Sequence, residues 1–213
     1  SERPERKSAD MPDSLFTHDA LDPSYSEIAV APSSPHVGAE ISSIDLTCAL
    51  SDRQLEELRR AFTEYLVIFF RDQEISFEDH VRLAEYFGSI GAHVGVTTIS
   101  NPTEDPRVRL FHYDETTSKI SGDIWHTDQS CAEKPPLGSI LYNHTIPPNG
   151  GGDTIFASMY AAYDALSDRM KSYLDGLTAL HDGTRIFGPG TPAASHPVIV
   201  RHPDSGKKLI YVN

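Results

Sequence analysis

A mainly β fold with flanking helices, closed as a double-stranded β-helix or jelly roll, is what this sequence predicts, on three observations. Two amphipathic helical patterns lie between Asp52 and Gly88. Beyond Gly88, short runs rich in Val, Ile, Thr, Tyr and Phe alternate with turns bearing Pro and Gly. No regular alternation of strand and helix appears, which disfavours a parallel βαβ layout. A length of 213 residues suits one domain around a single core.

Residues 1–25 are rich in Ser, Pro, Asp and charge and poor in apolar side chains, the composition of a disordered arm, so residues 26–213 are assigned to the jelly-roll domain. Ile28 to Val30 and Ala39 to Ile41 read as short strands punctuated by Pro32, Pro35 and Gly38. Ser51 and Gln54 have capping-box spacing, and Leu55, Leu58, Phe62 and Tyr65 recur at helical intervals, predicting a helix over Asp52 to Glu64. Leu66 to Phe70 follows as a buried strand. Ser76 is placed to cap a second helix that aligns Phe77, Val81, Ala84 and Phe87 and stops at Gly88. Arg107 to Tyr113, Asp123 to Asp128 and Gly138 to His144 are strand candidates, and Met159 to Leu177 is one helical stretch. Pro197 to Val200 and Lys208 to Val212 form a hairpin through the turn Pro203-Asp204-Ser205-Gly206.

The balance of 31 acidic against 18 basic residues, a formal charge of −13, opposes binding to nucleic acid or to an anionic membrane surface. Cys48 and Cys131 stand far apart and form no CxxC pair, so neither a disulfide framework nor a structural zinc site is indicated. The longest apolar runs, such as Leu66 to Phe70, fall far short of the roughly 20 residues a membrane helix requires. These features point to a soluble cytoplasmic protein, with a homo-oligomer left open.

His126-Thr127-Asp128 carries the chemistry. On a strand, side chains two apart share a face, so an imidazole and a carboxylate converge on one ion. A second histidine from elsewhere completes a 2-His-1-carboxylate facial triad, which leaves positions for a cosubstrate and oxygen. The bare pair is common: chance gives about one in a chain of this composition, and this one has three. His202-Pro203-Asp204 sits in the hairpin turn, where its residues serve backbone geometry. His112-Tyr113-Asp114 runs into the polar loop Glu115-Thr116-Thr117. His126-Thr127-Asp128 is set apart by Gly122-Asp123 and Trp125 before it, and by Pro135-Pro136 and Gly150-Gly151-Gly152-Asp153-Thr154 after it.

Those segments resemble the taurine dioxygenase/TfdA family of Fe(II)- and 2-oxoglutarate-dependent dioxygenases. The resemblance runs in family order from Val37 to Ile41, through Val67 to Gln73 and Phe87-Gly88, to His196-Pro197-Val198 and Gly206 to Asn213. It implies a distorted jelly roll with Fe(II) at its mouth, His126 and Asp128 as two iron ligands, and Thr154 hydrogen-bonded to a carboxylate of 2-oxoglutarate. Without it, Thr154 reads as a turn residue entering Ile155-Phe156. The implied reaction uses O2 to hydroxylate a small organic anion, with release of succinate and CO2.

In that family a distal iron-binding histidine and an arginine for the other carboxylate of 2-oxoglutarate follow the segment matching Leu209 to Asn213. His196 and His202 match a β-element instead, so no distal ligand is assigned. The C-terminal part of the jelly roll is therefore expected to be missing from this chain, and Phe187 to Ser195 is short where relatives often carry a longer lid.

His93 matches the position of a sulfonate-contacting histidine, but Val96 and Gly122 lack the polar groups of a taurine site, which disfavours taurine itself. Gly183 to Gly188, with Ser158-Met159-Tyr160, is similar to the aryloxypropionate dioxygenases, so an aryloxyalkanoate, sulfonate or sulfate ester is the expected substrate class. Arg185 is either an anion contact or a solvated loop arginine, and His93 either touches substrate or lines a loop. Two other classes stand beside this reading. One is a non-catalytic jelly-roll protein that binds a metal or small molecule. The other is a cupin-type metal enzyme, which would need more histidines than lie between His126 and His144.

Overall fold

The computed structural model describes residues 20–91, 122, 124–147 and 150–213. The strand expected over Arg107 to Tyr113, the His112 pair and His93 lie outside the described residues.

The first half is built by hydrophobic residues on two strands and one helix face. β1 (Ala29–Pro32) and β2 (Ala39–Ser42) run antiparallel with Val30 opposite Ile41. After α1 (Asp52–Tyr65), β3 (Ile68–Phe70) joins β2 in parallel, and α2 (Phe77–Glu85) follows. Both expected helix starts are present as complete capping boxes, Ser51 with Gln54 and Ser76 with Asp79, each satisfying two amide donors that the first helical turn leaves free. Val30, Ile41 and Leu58 are the largest fully buried side chains, and Tyr25, Ile28, Leu46, Ala61 and Leu83 complete this core. Leu66 ends α1 in a left-handed conformation (φ +68), its N–H still donating to the Phe62 carbonyl, so the strand expected from Leu66 begins at Ile68.

The end of the expected arm is folded. Tyr25 is buried and its hydroxyl donates to Glu64 at 2.6 Å, while the Asp22 N–H donates to the Val30 carbonyl. Glu57 on α1 draws the chain in by accepting from the backbone N–H groups of Ser26, Glu27 and Ile28 and from the Ser26 hydroxyl. Burial opposes its ionisation, but these donors outweigh it and hold the carboxyl at about 2, below the ordinary 4.5. A depressed carboxyl stabilises the fold above its unfolded value and loses that contribution as pH falls. Glu57→Gln is therefore expected to cost about 2 kcal/mol near neutrality, the worth of a charge-assisted hydrogen-bond set. In urea titrations the gap from wild type should close as pH falls from 4.5 towards 2.

The second half opens with α3 (Met159–Asp164) and α4 (Asp168–Leu174), two short helices where the sequence suggested one. Ser167 separates them because its hydroxyl accepts from the Met170 N–H as an N-cap. β4 (Thr178–Asp182), α5 (Thr184–Phe187) and β5 (Ala193–Pro197) come next, with β4 and β5 antiparallel. β6 (Ile199–Arg201) and β7 (Lys208–Ile210) form the expected hairpin, with Ile199 opposite Ile210.

Residues 124–128 and 138–144, expected as strands, are irregular. A strand persists only where a neighbouring edge takes up its ladder hydrogen bonds, and no described residue pairs with either segment. The described strands form one three-stranded sheet and two separate two-stranded ladders, not a closed jelly roll. Among the described residues no helix is long and apolar enough to cross a membrane.

Candidate metal centre

His126 and Asp128 come together even though no strand carries them. His126 Nε2 lies 3.4 Å from Asp128 Oδ1, with the side chains 41% and 49% exposed. The chain turns over Asp128 to Cys131, with Gln129 at φ +51, so the two side chains converge through this turn and its anchors instead of through a two-residue repeat.

The atoms facing away from the pair are occupied. His126 Nδ1 lies 2.7 Å from the Ile124 carbonyl oxygen. A carbonyl only accepts, so Nδ1 carries the proton and the Nε2 lone pair is left for a metal. Ser139 Oγ donates to Asp128 Oδ2 at 2.6 Å, which leaves Oδ1 facing Nε2. Two donors each about 2.1 Å from one ion and at a right angle stand about 3.0 Å apart, so a closing shift of a few tenths of an ångström would seat a divalent ion. An imidazole nitrogen and a carboxylate oxygen are two of the three donors of a 2-His-1-carboxylate Fe(II) site, and these two residues fit that part of one. Among the described residues no group of three metal-binding side chains is present.

The loop is held from behind by residues distant in sequence. The Thr127 N–H donates to Asn213 Oδ1 at 3.0 Å, and Asn213 Nδ2 donates to Ser130 Oγ at 2.8 Å. His196 Nε2 on β5 lies 2.8 and 3.1 Å from the carbonyls of Ser130 and Ala132 and donates to them, while Ser130 and Cys131 are buried. The β4–β5 register sets Ala179 opposite His196 and His181 opposite Ala194, so the two histidines meet diagonally on one face with ring centroids 5.1 Å apart. Tyr211 stacks on His181 at 5.2 Å and meets the edge of His196 at 5.4 Å. Burial, then the neighbouring His196, push the His181 pKa down, and neither of its ring nitrogens finds a hydrogen-bond partner among the described residues. Burial, then Cys131, push the Tyr211 phenol up.

Packing fixes the two flanks. A Cβ on Gly122 (φ +85) would lie 3.2 Å from His126 Cε1, so this glycine lets the backbone run against the imidazole. Ser139 is steadied from the first half of the fold: a Cβ on Gly138 would lie 3.1 Å from Phe62 Cζ of α1, and Tyr142 faces His80 of α2 at 6.3 Å.

The other sequence candidates fall apart from this pair. Thr154 is exposed on the irregular segment after Gly152 and makes no hydrogen bond to His126 or Asp128. Arg185 is exposed on α5. It acts on the Asp182 carboxyl, which is lowered first by the Thr184 hydroxyl and amide and least by Arg185. His202 serves the hairpin turn, with Nδ1 accepting from the Asp204 and Ser205 N–H groups, as the sequence suggested. Ser139 carries no local sequence signal, whereas His196 and Asn213 lie in segments that carry the family resemblance.

Residues 29–213 match the family model described as "Taurine catabolism dioxygenase TauD, TfdA family". The chain is 32% identical over 200 residues to an alpha-ketoglutarate-dependent dioxygenase, cnsP, of Penicillium expansum, covering 84% of this chain and 54% of that protein. It is 29% identical over 210 residues to the alpha-ketoglutarate-dependent 2,4-dichlorophenoxyacetate dioxygenase of Cupriavidus pinatubonensis, covering 87% and 73% of the two chains. The crystal structure of a taurine dioxygenase from Burkholderia xenovorans matches with a TM-score of 0.69 at 30% identity, covering 87% of this chain and 63% of that one. The chain thus spans about half the length of the Penicillium relative, at 54%.

Proposed function

Because the chain belongs to the taurine catabolism dioxygenase TauD, TfdA family, we propose that its protein is an Fe(II)- and 2-oxoglutarate-dependent dioxygenase that hydroxylates a small organic acid. One observation carries the reading. His126 Nε2 and Asp128 Oδ1 face each other at 3.4 Å while the opposite atom of each group is held by a hydrogen bond. Iron, when bound there, supplies oxygen activation coupled to the decarboxylation of 2-oxoglutarate to succinate and CO2. The protein's part is to hold and orient. The Ile124 carbonyl fixes the imidazole tautomer, and the Ser139 hydroxyl fixes the carboxylate rotamer.

Thr154 is proposed as a hydrogen-bond donor to a 2-oxoglutarate carboxylate, on its position after the Gly-Gly-Asp segment of the family pattern. His93 and Arg185 are the proposed contacts for the substrate anion. A jelly-roll core is proposed on the match to the taurine dioxygenase structure. The substrate is proposed to be an aryloxyalkanoate, sulfonate or sulfate ester. Relatives carry those names: a 2,4-dichlorophenoxyacetate dioxygenase, a sulfonate dioxygenase and a sulfate ester dioxygenase. The test is succinate formation by full-length protein supplied with Fe(II), O2 and 2-oxoglutarate against a panel of these three classes. At least one class should accelerate succinate release about tenfold or more over the uncoupled background, about 1.4 kcal/mol of added transition-state stabilisation. A protein that binds metal and releases no succinate with any of them would instead be a binding protein.

A further inference from the structure

We propose that Asn213 is a positioning residue of the metal centre, its side-chain amide setting the angle at which His126 and Asp128 present their donor atoms; the proposal rests on the reading that this pair binds the metal. Among the described residues no strand ladder defines the ligand loop, which turns through Gln129 at φ +51, so side-chain anchors shape it. Asn213 supplies two from one planar group. Thr127 lies between the two ligands, and its N–H can only donate, so the atom it meets at 3.0 Å is Oδ1. Nδ2 then faces Ser130 Oγ at 2.8 Å, with Ser130 buried two residues beyond Asp128. Because Oδ1 and Nδ2 belong to one rigid amide, the two bonds fix the separation of Thr127 and Ser130 and hence the bend at Asp128.

The clamp is itself anchored. The Tyr211 N–H donates to the carbonyl of buried Val198 at 2.8 Å, extending the β6–β7 pairing to within two residues of Asn213. Tyr211 also packs on His181 and His196, and His196 donates to the Ser130 and Ala132 carbonyls. The loop is thus anchored by two groups, His196 on β5 and Asn213 beyond β7, and Asn213 is the one that reaches between the ligands. His196 grips only the distal side.

The experiment uses full-length protein as wild type, Asn213→Leu, Asn213→Asp and Ser130→Ala, titrated with Co(II) and followed by its visible absorption. Amide hydrogen exchange at Thr127 and the melting temperature are measured in parallel. Asn213→Leu keeps the size and loses both hydrogen bonds. It is expected to weaken Co(II) binding by about 10- to 100-fold, the usual effect of losing a group that orients a ligand, and to release the Thr127 amide to exchange. Asn213→Asp keeps the acceptor for Thr127, and the Ser130 hydroxyl can turn to donate, so binding should recover to within a few-fold of wild type. Equal Co(II) affinity in wild type and folded Asn213→Leu would overturn the proposal. If Asn213→Leu does not fold, Ser130→Ala decides: weakened Co(II) binding with faster Thr127 exchange supports the clamp, and wild-type values for both overturn it. Wild-type protein that takes up no Co(II) would instead overturn the metal-binding reading beneath it.

Discussion

Asp128→Ala should lower substrate-dependent 2-oxoglutarate turnover by roughly a thousandfold, about 4 kcal/mol of transition-state stabilisation, without unfolding the protein. Oδ1 is the only oxygen of this side chain facing His126 Nε2, and Oδ2 is taken up by Ser139. The substitution therefore removes one of two described donors, and no third metal-binding side chain joins them among the described residues. The side chain is 49% exposed and fills no part of the core, so the melting temperature should move little. Asp128→Asn separates charge from shape, because its carbonyl can still accept from Ser139 while the anion is lost. It should behave like alanine in turnover and like wild type in stability. Wild-type turnover in Asp128→Ala would remove this pair from the mechanism.

Gly183→Val should produce a large loss of stability, about 3 kcal/mol, at the upper end of what overpacking costs. A Cβ at Gly183 would stand 2.6 Å from Thr191 Cγ2, 2.8 Å from Cys131 Sγ and 3.0 Å from the Pro192 carbonyl oxygen. Gly183 has an ordinary helical φ of −72, so the need for glycine here is one of space and not of backbone conformation. The Pro192 carbonyl is main chain and accepts from the Gly183 N–H, so it cannot retreat without breaking that bond. The Thr191 and Cys131 side chains must move instead, and Cys131 lies on the turn that carries Asp128. The valine variant should therefore lose metal affinity together with stability, as read by thermal melts and Co(II) titration. Wild-type stability would show that this contact is not tight.

What could be read from the residues was local. The capping boxes at Ser51 and Ser76 announce two helices because cap and partner lie three residues apart. The Pro203 to Gly206 turn announces the β6–β7 hairpin for the same reason. The neighbours of His126 and Asp128 single out that pair among three, and the structure brings its two side chains together on a turn instead of the expected strand. β4 escaped notice because Ala179 and Asp182 are poor strand formers, and the ring stacked on His181 belongs to distant Tyr211. Ser139 and Asn213 reach the loop across 11 and 86 residues of chain, separations that leave no periodic trace in sequence.

The most direct measurement is anomalous diffraction at the iron edge from crystals of full-length protein loaded with Fe(II) under anaerobic conditions. One peak is expected within about 2.2 Å of both His126 Nε2 and Asp128 Oδ1, the ordinary length of such metal–ligand bonds. A peak elsewhere in the protein, with these two atoms bound to nothing but solvent and each other, would contradict the assignment.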